Sequence, residues 1–381
     1  MIRVLIADDS AFMRKVLSDL FKSQSDFEVV GTAVNGQDTI DKVKKFHPDV
    51  LTLDVVMPIM DGLTALGIIM EQCPLPVIMI SSATQKGTNE TIRALALGAV
   101  DFVSKAGGAI SKIDTIKDEI LAKCRLAAKS HARKNIAASS PLVYKPRPSN
   151  IEPPTRRVEV RRRTGLVLGQ KPSINFVPST APTVKKIIPG TGKKLVVIGT
   201  STGGPQALQT VITRLPGNLP CGVVVVQHMP AGFTKSLAER LNSISEIKVK
   251  EAEQDEIIRS GQVYIAPGDY HLRIAPAPGG ERKIVLSQEP RVGNLRPTVN
   301  YMFDSASQFG KDLVSVIMTG MGSDGCEGMK KVKATGGYSI AQDESSCVVY
   351  GMPKAVVDAG LADEIRPLNK IAEAIVEAVR K

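Results

Sequence analysis

The sequence predicts an α/β protein: two doubly wound, mainly parallel-sheet domains joined by a flexible linker. Three observations predict it. Short apolar runs alternate with amphipathic stretches over residues 1–125. The same alternation returns over residues 192–381. Between them, residues 126–191 are basic, rich in proline and poor in periodic apolar residues. Strand and helix alternating at this pitch build a parallel sheet covered on both faces. A proline-rich chain of one charge sign cannot bury enough surface to offset its conformational entropy.

In the first part the strand candidates are Val4–Ala7, Phe27–Val34, Val50–Leu53, Pro76–Ile80 and Asp101–Ser104, with helical patterns such as Ala11–Gln24 and Gly36–Phe46 between them. The middle segment follows. From Lys129 to Lys194 there are 15 Lys or Arg against two acids, including the run RRVEVRRR at Arg156–Arg163. The net charge of +11 therefore belongs to this segment, and the remainder is close to neutral. Such a segment reads as a solvated tether rather than a nucleic-acid-binding arm, so no nucleic acid partner is expected. In the second part the strand candidates are Leu195–Ile198, Gly222–Gln227, Gln262–Pro267, Lys283–Ser287, Val314–Thr319 and Tyr338–Gln342. Helices are expected at Pro205–Arg214, Thr234–Ser243, Thr298–Phe309, Gly325–Thr335 and Leu368–Val379. DYHLRI, a Pro- and Gly-rich turn and KIVLS read as a hairpin set into the otherwise parallel architecture.

Composition narrows the class. Hydrophobic content of 43% and charged content of 23% are ordinary for a globular chain. The longest apolar runs fall far short of the roughly 20 residues of a membrane span. The start, MIRVLIADDS, lacks the long apolar core and cleavage site of a secretory signal, so a cytoplasmic protein, not inserted in a membrane, is expected. Five dispersed cysteines with no CxxC pair point to reduced thiols rather than disulfides or zinc.

Chemistry gathers at the strand ends. After the first strand come Asp8 and Asp9, after the third Asp54, after the fourth Ser81, after the fifth Lys105. In a parallel sheet these positions converge on one rim. Three carboxylates so close repel unless a cation joins them, and an all-oxygen set suits Mg²⁺. A hydroxyl and an ammonium beside them suit the oxygens of a tetrahedral dianion. Each feature also has a plainer role, since Asp-Asp can cap a helix and a strand-end lysine can be solvated. In their order, with LTLDVVMPIMDG, ISSA and GAVDFVSKAGG, they resemble a response-regulator receiver domain over about 120 residues. The resemblance implies that Asp54 accepts a phosphoryl group from a histidine kinase, with Mg²⁺ held by Asp9 and Asp54 and by Asp8 through water. It also implies that Ser81 and Lys105 contact the phosphoryl oxygens and that Phe102 moves on activation. Many receivers carry Pro after the lysine; here Ala106 follows Lys105.

In the second part the stretch GTSTGG, Gly199 to Gly204, ends an apolar strand and precedes a helix with Pro205 in its first turn. The turn fits a nucleophile elbow, a phosphate-binding loop or a simple helix cap, and alone it does not decide among them. A serine nucleophile needs a base, and the base needs a carboxylate to fix its tautomer. His228 follows the most apolar strand, and Asp324 follows SVIMTGMGS, so Ser201, His228 and Asp324 all lie past carboxyl ends of strands. Backbone N–H groups near Met321, between Gly320 and Gly322, could stabilise an oxyanion. The order Ser, His, Asp differs from the α/β-hydrolase order.

IGTSTGGPQAL, VVVVQHMPAGFT, VYIAPGDYHL, RPTVNYMFDSA and VIMTGMGSDG together resemble the catalytic domain of the chemotaxis protein-glutamate methylesterase family. The resemblance implies a receiver-like domain and a Ser-His-Asp hydrolase. Ser201 would be nucleophile, His228 base, Asp324 its orienter and the Met321 backbone an oxyanion donor. It implies hydrolysis of glutamate methyl esters, and deamidation of glutamines, on methyl-accepting chemoreceptors at membrane receptor arrays, with no cofactor in the catalytic domain. A transcriptional regulator would need a helix-turn-helix, for which the second part shows no signature. A catalytically idle adaptor is the other rival class.

Overall fold

A computed structural model describes residues 1–82, 84–105, 113–129 and 193–381. The expectations for the linker beyond Lys129 and for Ala106 lie outside the described residues.

The N-terminal domain runs β1 (Ile2–Ala7), α1 (Ala11–Lys22), β2 (Phe27–Ala33), α2 (Gly36–Phe46), β3 (Val50–Asp54), α3 (Gly62–Gln72), β4 (Val77–Ser82), α4 (Gln85–Leu97), β5 (Asp101–Lys105) and α5 (Ile113–Lys129). Its five strands are parallel, in the order β2-β1-β3-β4-β5. The helices begin where the sequence supplies caps: Ser10, Asn35, Asp61 and Thr84 each accept a backbone N–H in the first turn. The last helix continues to Lys129, past the compositional boundary at residue 125.

The C-terminal domain contains β6 (Leu195–Thr200), α6 (Gly204–Ile212), β7 (Gly222–Gln227), α7 (Phe233–Ile244), β8 (Lys248–Glu251), β9 (Gln262–Ile265), β10 (His271–Pro276) and β11 (Arg282–Ser287). There follow α8 (Val299–Ala306), β12 (Leu313–Ile317), α9 (Cys326–Ala334), β13 (Tyr338–Gln342), α10 (Met352–Asp358), β14 (Glu364–Arg366) and α11 (Leu368–Ala378). Seven parallel strands take the order β14-β13-β12-β6-β7-β9-β8. The chain starts in the middle at β6 and winds outward to both sides, so the crevice lies at the tips of β12, β6 and β7. β6 and β7 are buried along their whole length, as two-face coverage demands. The expected hairpin is β10–β11, antiparallel. The helix expected to reach Phe309 ends at Ala306 and tightens into a 3₁₀ turn over Ser307–Asp312.

The domains share an apolar seam. Phe102 of β5 stacks on Phe233 of α7 with centroids 4.5 Å apart and planes 26° from parallel. Val348 packs against the apolar cluster of Val100, Val103 and Ile120. Gln206 on α6 donates to the carbonyls of Leu95 and Ala99 at 2.8 and 3.1 Å, which ties it to the chain leaving α4. Ser236 of α7 donates to the Thr88 hydroxyl on α4 at 3.2 Å.

Candidate active site

β6 delivers Ser201, β7 delivers His228, and the loop after β12 delivers Met321 and Asp324. Gly203 caps α6 at φ +76, a left-handed turn that a side chain would strain, and so the chain reverses directly after Ser201. The Ser201 N–H donates to the Thr319 carbonyl at 3.0 Å, and the His228 N–H donates to the Thr200 carbonyl at 3.1 Å. Gln227 Nε2 then ties the carbonyls of Ser201 and His228 together at 2.9 and 3.1 Å. Adjacent strands thus bring nucleophile and base candidates side by side.

His228 Nε2 lies 2.7 Å from Asp324 Oδ2. The two side chains are only 6% and 12% exposed, so the pair is largely shielded from water. The same oxygen of Asp324 accepts the Val299 N–H at 2.7 Å, and Oδ1 accepts the Asn300 N–H at 3.0 Å. Those are the first N–H groups of α8. Thr298 occupies the N-cap position but makes no side-chain cap; its hydroxyl lies 3.3 Å from His271 Nδ1 instead. Asp324 does the capping from another loop. Burial alone would raise its carboxyl, but the His228 hydrogen bond, the His228 charge and the two backbone donors outweigh it and hold the carboxyl below its usual value.

With Nε2 committed to Asp324, Nδ1 is the nitrogen left to face a proton donor. No hydrogen bond joins the Ser201 hydroxyl to His228 among the described residues. The Met321 N–H has no acceptor among the described residues, and the Met321 residue is 48% exposed. Beside Asp324 opens a cleft of about 280 Å³ lined by Val292, Leu295, Thr298, Asn300, Ser323 and Glu327. His271 is buried and stacked on Tyr301 at 4.1 Å, with its Nε2 3.2 Å from the Pro290 carbonyl.

At the other rim, Asp8, Asp9 and Asp54 each offer an oxygen within 4.8 Å of the others. Lys105 Nζ donates to Asp8 at 3.0 Å and to Asp54 at 2.7 Å. Burial raises the Asp54 carboxyl above its usual value despite Lys105. For Lys105 the two carboxylates outweigh burial and keep the ammonium firmly protonated. Arg14 donates to the backbone carbonyls of Asp8 and Asp9, both at 2.8 Å, which fixes the acidic loop. The buried Ser81 hydroxyl reaches the Gly87 carbonyl at 3.2 Å. Phe102 lies not at this rim but in the seam with Phe233.

Sequence reading missed Asn300, whose side-chain oxygen accepts the N–H groups of Gly325 and Gly328 at 3.0 and 2.8 Å and so fixes the Asp324 loop to α8. It also missed Asp101, whose Oδ2 accepts the Thr202 hydroxyl across the domain boundary at 2.8 Å. No local signal marks either residue, because each works through a partner distant in sequence.

Comparison with known proteins adds family. The model for the CheB methylesterase matches residues 196–375, and that for the response regulator receiver domain matches residues 4–116. A protein-glutamate methylesterase/protein-glutamine glutaminase of Symbiobacterium thermophilum is 47% identical over 99% of this chain and 97% of its own. Relatives of the same name from Pyrococcus abyssi and Thermotoga maritima are each 44% identical over 99% of this chain, and over 94% and 98% of their own.

Proposed function

The chain belongs to the CheB methylesterase family, joined to a response-regulator receiver domain, and from that premise we propose that it removes methyl esters from receptor glutamates and deamidates receptor glutamines through Ser201, His228 and Asp324, under control of phosphorylation at Asp54. The observation that carries this reading is the His228–Asp324 pair at 2.7 Å, set beside the Ser201 turn by the bond from the His228 N–H to the Thr200 carbonyl.

Asp324 holds the imidazole so that Nδ1 can take the Ser201 proton. The Ser201 oxygen then bonds to the ester carbonyl carbon, and the developing oxyanion faces the Met321 N–H, a kind of donor worth on the order of 3 kcal/mol. The carbon–methoxy bond breaks, His228 returns the proton, and methanol leaves. Water, deprotonated by His228, attacks the acyl group and frees glutamate and Ser201. With a glutamine the leaving group is ammonia, and the remaining steps are unchanged.

Asp8, Asp9 and Asp54 fit Mg²⁺, being oxygen donors gathered within 4.8 Å on one rim. The ion would offset phosphoryl charge there when bound. Asp54 would accept the phosphoryl group, with Ser81 and Lys105 contacting its oxygens. The phosphodonor is a chemotaxis histidine kinase, and the substrates are methyl-accepting chemoreceptors. Occlusion supplies the control: the docked receiver covers the Ser201 rim, and phosphorylation loosens the packing at Phe102. No helix among the described residues is long and apolar enough to cross a membrane.

Methanol release from methylated receptor membranes tests the assignment. The wild type should release methanol and Ser201→Ala should not; equal release from both sinks the esterase reading. Deleting residues 1–130 should raise basal release, and an unchanged or lower rate would count against occlusion.

A further inference from the structure

β5 is committed at both ends. At its C-terminal end Lys105 donates to Asp8 and Asp54. At its N-terminal end Asp101 reaches into the other domain. Asp101 Oδ1 accepts its neighbour's N–H, that of Phe102, at 2.8 Å. Asp101 Oδ2 accepts the Thr202 hydroxyl at 2.8 Å and lies 3.4 Å from Lys123 Nζ. Lys123 is itself anchored to the Phe102 carbonyl at 2.6 Å and to Glu119 at 2.8 Å. Asp101 and Thr202 are 7% and 6% exposed, so neither can exchange its partner for water unless the domains move.

Thr202 directly follows Ser201. Besides the turn's own bond from the Gly204 N–H to the Ser201 carbonyl at 2.7 Å, the two residues have three anchors within their domain: the Thr319 carbonyl on the Ser201 N–H, Gln227 on the Ser201 carbonyl, and the Thr319 hydroxyl on the Thr202 carbonyl at 2.9 Å. The fourth anchor, Asp101, belongs to the receiver. With all four made, the Ser201 hydroxyl is not hydrogen-bonded to His228 among the described residues.

We propose that Asp101 is a positioning residue acting across the domain boundary: its hydrogen bond to Thr202 holds the Ser201 loop in a resting arrangement, so that the docked receiver slows turnover of small esters as well as large ones. This rests on the reading of Ser201 as the esterase nucleophile and adds to occlusion. A shutter excludes what is too large to pass. A held loop slows what already sits in the site.

The test uses the full unphosphorylated chain with p-nitrophenyl acetate, beside methylated receptor membranes. Asp101→Ala removes the partner, whereas Asp101→Asn keeps a hydrogen bond to Thr202, whose hydroxyl can accept from the amide NH2 while the amide oxygen stays with the Phe102 N–H. Phosphorylation of Asp54 by acetyl phosphate checks that each receiver is folded, and Thr202→Val, which removes the donor, replaces Asp101→Ala if that variant fails to fold. The expected result is a rise in kcat on p-nitrophenyl acetate of about tenfold, the scale set by losing one hydrogen bond to a charged acceptor. KM should hold, Asp101→Asn should stay near wild type, and the radius of gyration should not change. A wild-type or lower kcat on the small ester overturns the proposal, even if methanol release rises and occlusion survives. A rise that comes only with an expanded radius of gyration is domain release and overturns it too. If Ser201→Ala hydrolyses p-nitrophenyl acetate as fast as wild type, the esterase assignment itself is what fails.

Discussion

Asp324 carries three hydrogen bonds on two oxygens, one to the His228 ring and two to the start of α8. An amide in its place offers one acceptor oxygen and turns a donor toward groups that are themselves donors. Asp324→Asn should therefore lower kcat on methylated receptor by roughly 10³- to 10⁴-fold, the scale seen when a triad carboxylate becomes an amide, with KM little changed. The carboxyl is also held below its usual 3.8. The unfolded chain thus takes up its proton at a higher pH than the folded chain. The stability this group contributes is complete above the unfolded value and is lost as pH falls through the folded one. The Tm gap between wild type and Asp324→Asn should be steady at neutral pH and shrink once pH drops below about 4. The residue types of Ser201, His228 and Asp324 and their places after apolar strands were legible in sequence. The α8 cap was not, because Thr298 looks like an ordinary N-cap until its hydroxyl is found beside His271.

Among the elements, α8 and β6 fit so closely that a Cβ on Gly199 would fall 2.4 Å from Val299 Cγ1. Val299 is fully buried and β-branched, so it cannot swing aside. Gly199→Ala should push α8 off β6, draw its N-terminus away from Asp324 and cost about 1–3 kcal/mol of stability. It should also lower kcat although it touches no substrate; a denaturant titration beside the methanol assay checks both. The central strands were legible because coverage on both faces makes them continuous apolar runs. β8 and β14 were not: KVKE and EIR sit at the two edges of the sheet, where one exposed flank favours charge over apolar content. α10 was missed for want of length, since seven residues carry too little periodicity to register.

For the whole molecule, the seam of Phe102, Phe233, Gln206 and Asp101 joins two domains that each have their own sheet. The family resemblance singled out Phe102 in sequence, but not its partner Phe233, nor Gln206 or Asp101, which look like ordinary residues until the domains dock. Phe102→Ala removes a buried ring, a change worth about 3–5 kcal/mol in a packed core. It should raise unphosphorylated methanol release several-fold and enlarge the radius of gyration seen by small-angle scattering; an unaltered radius with unaltered release would refute a seam that restrains the enzyme. A shared seam also has a thermodynamic obligation. With Asp54 as the proposed phosphoryl acceptor, whatever factor the phosphoryl group takes from the affinity of the two halves, their union must take from the phosphorylation equilibrium. The hydrolase is thus a ligand of its own sensor, and the severed sensor should charge more completely at the same donor potential than the intact chain.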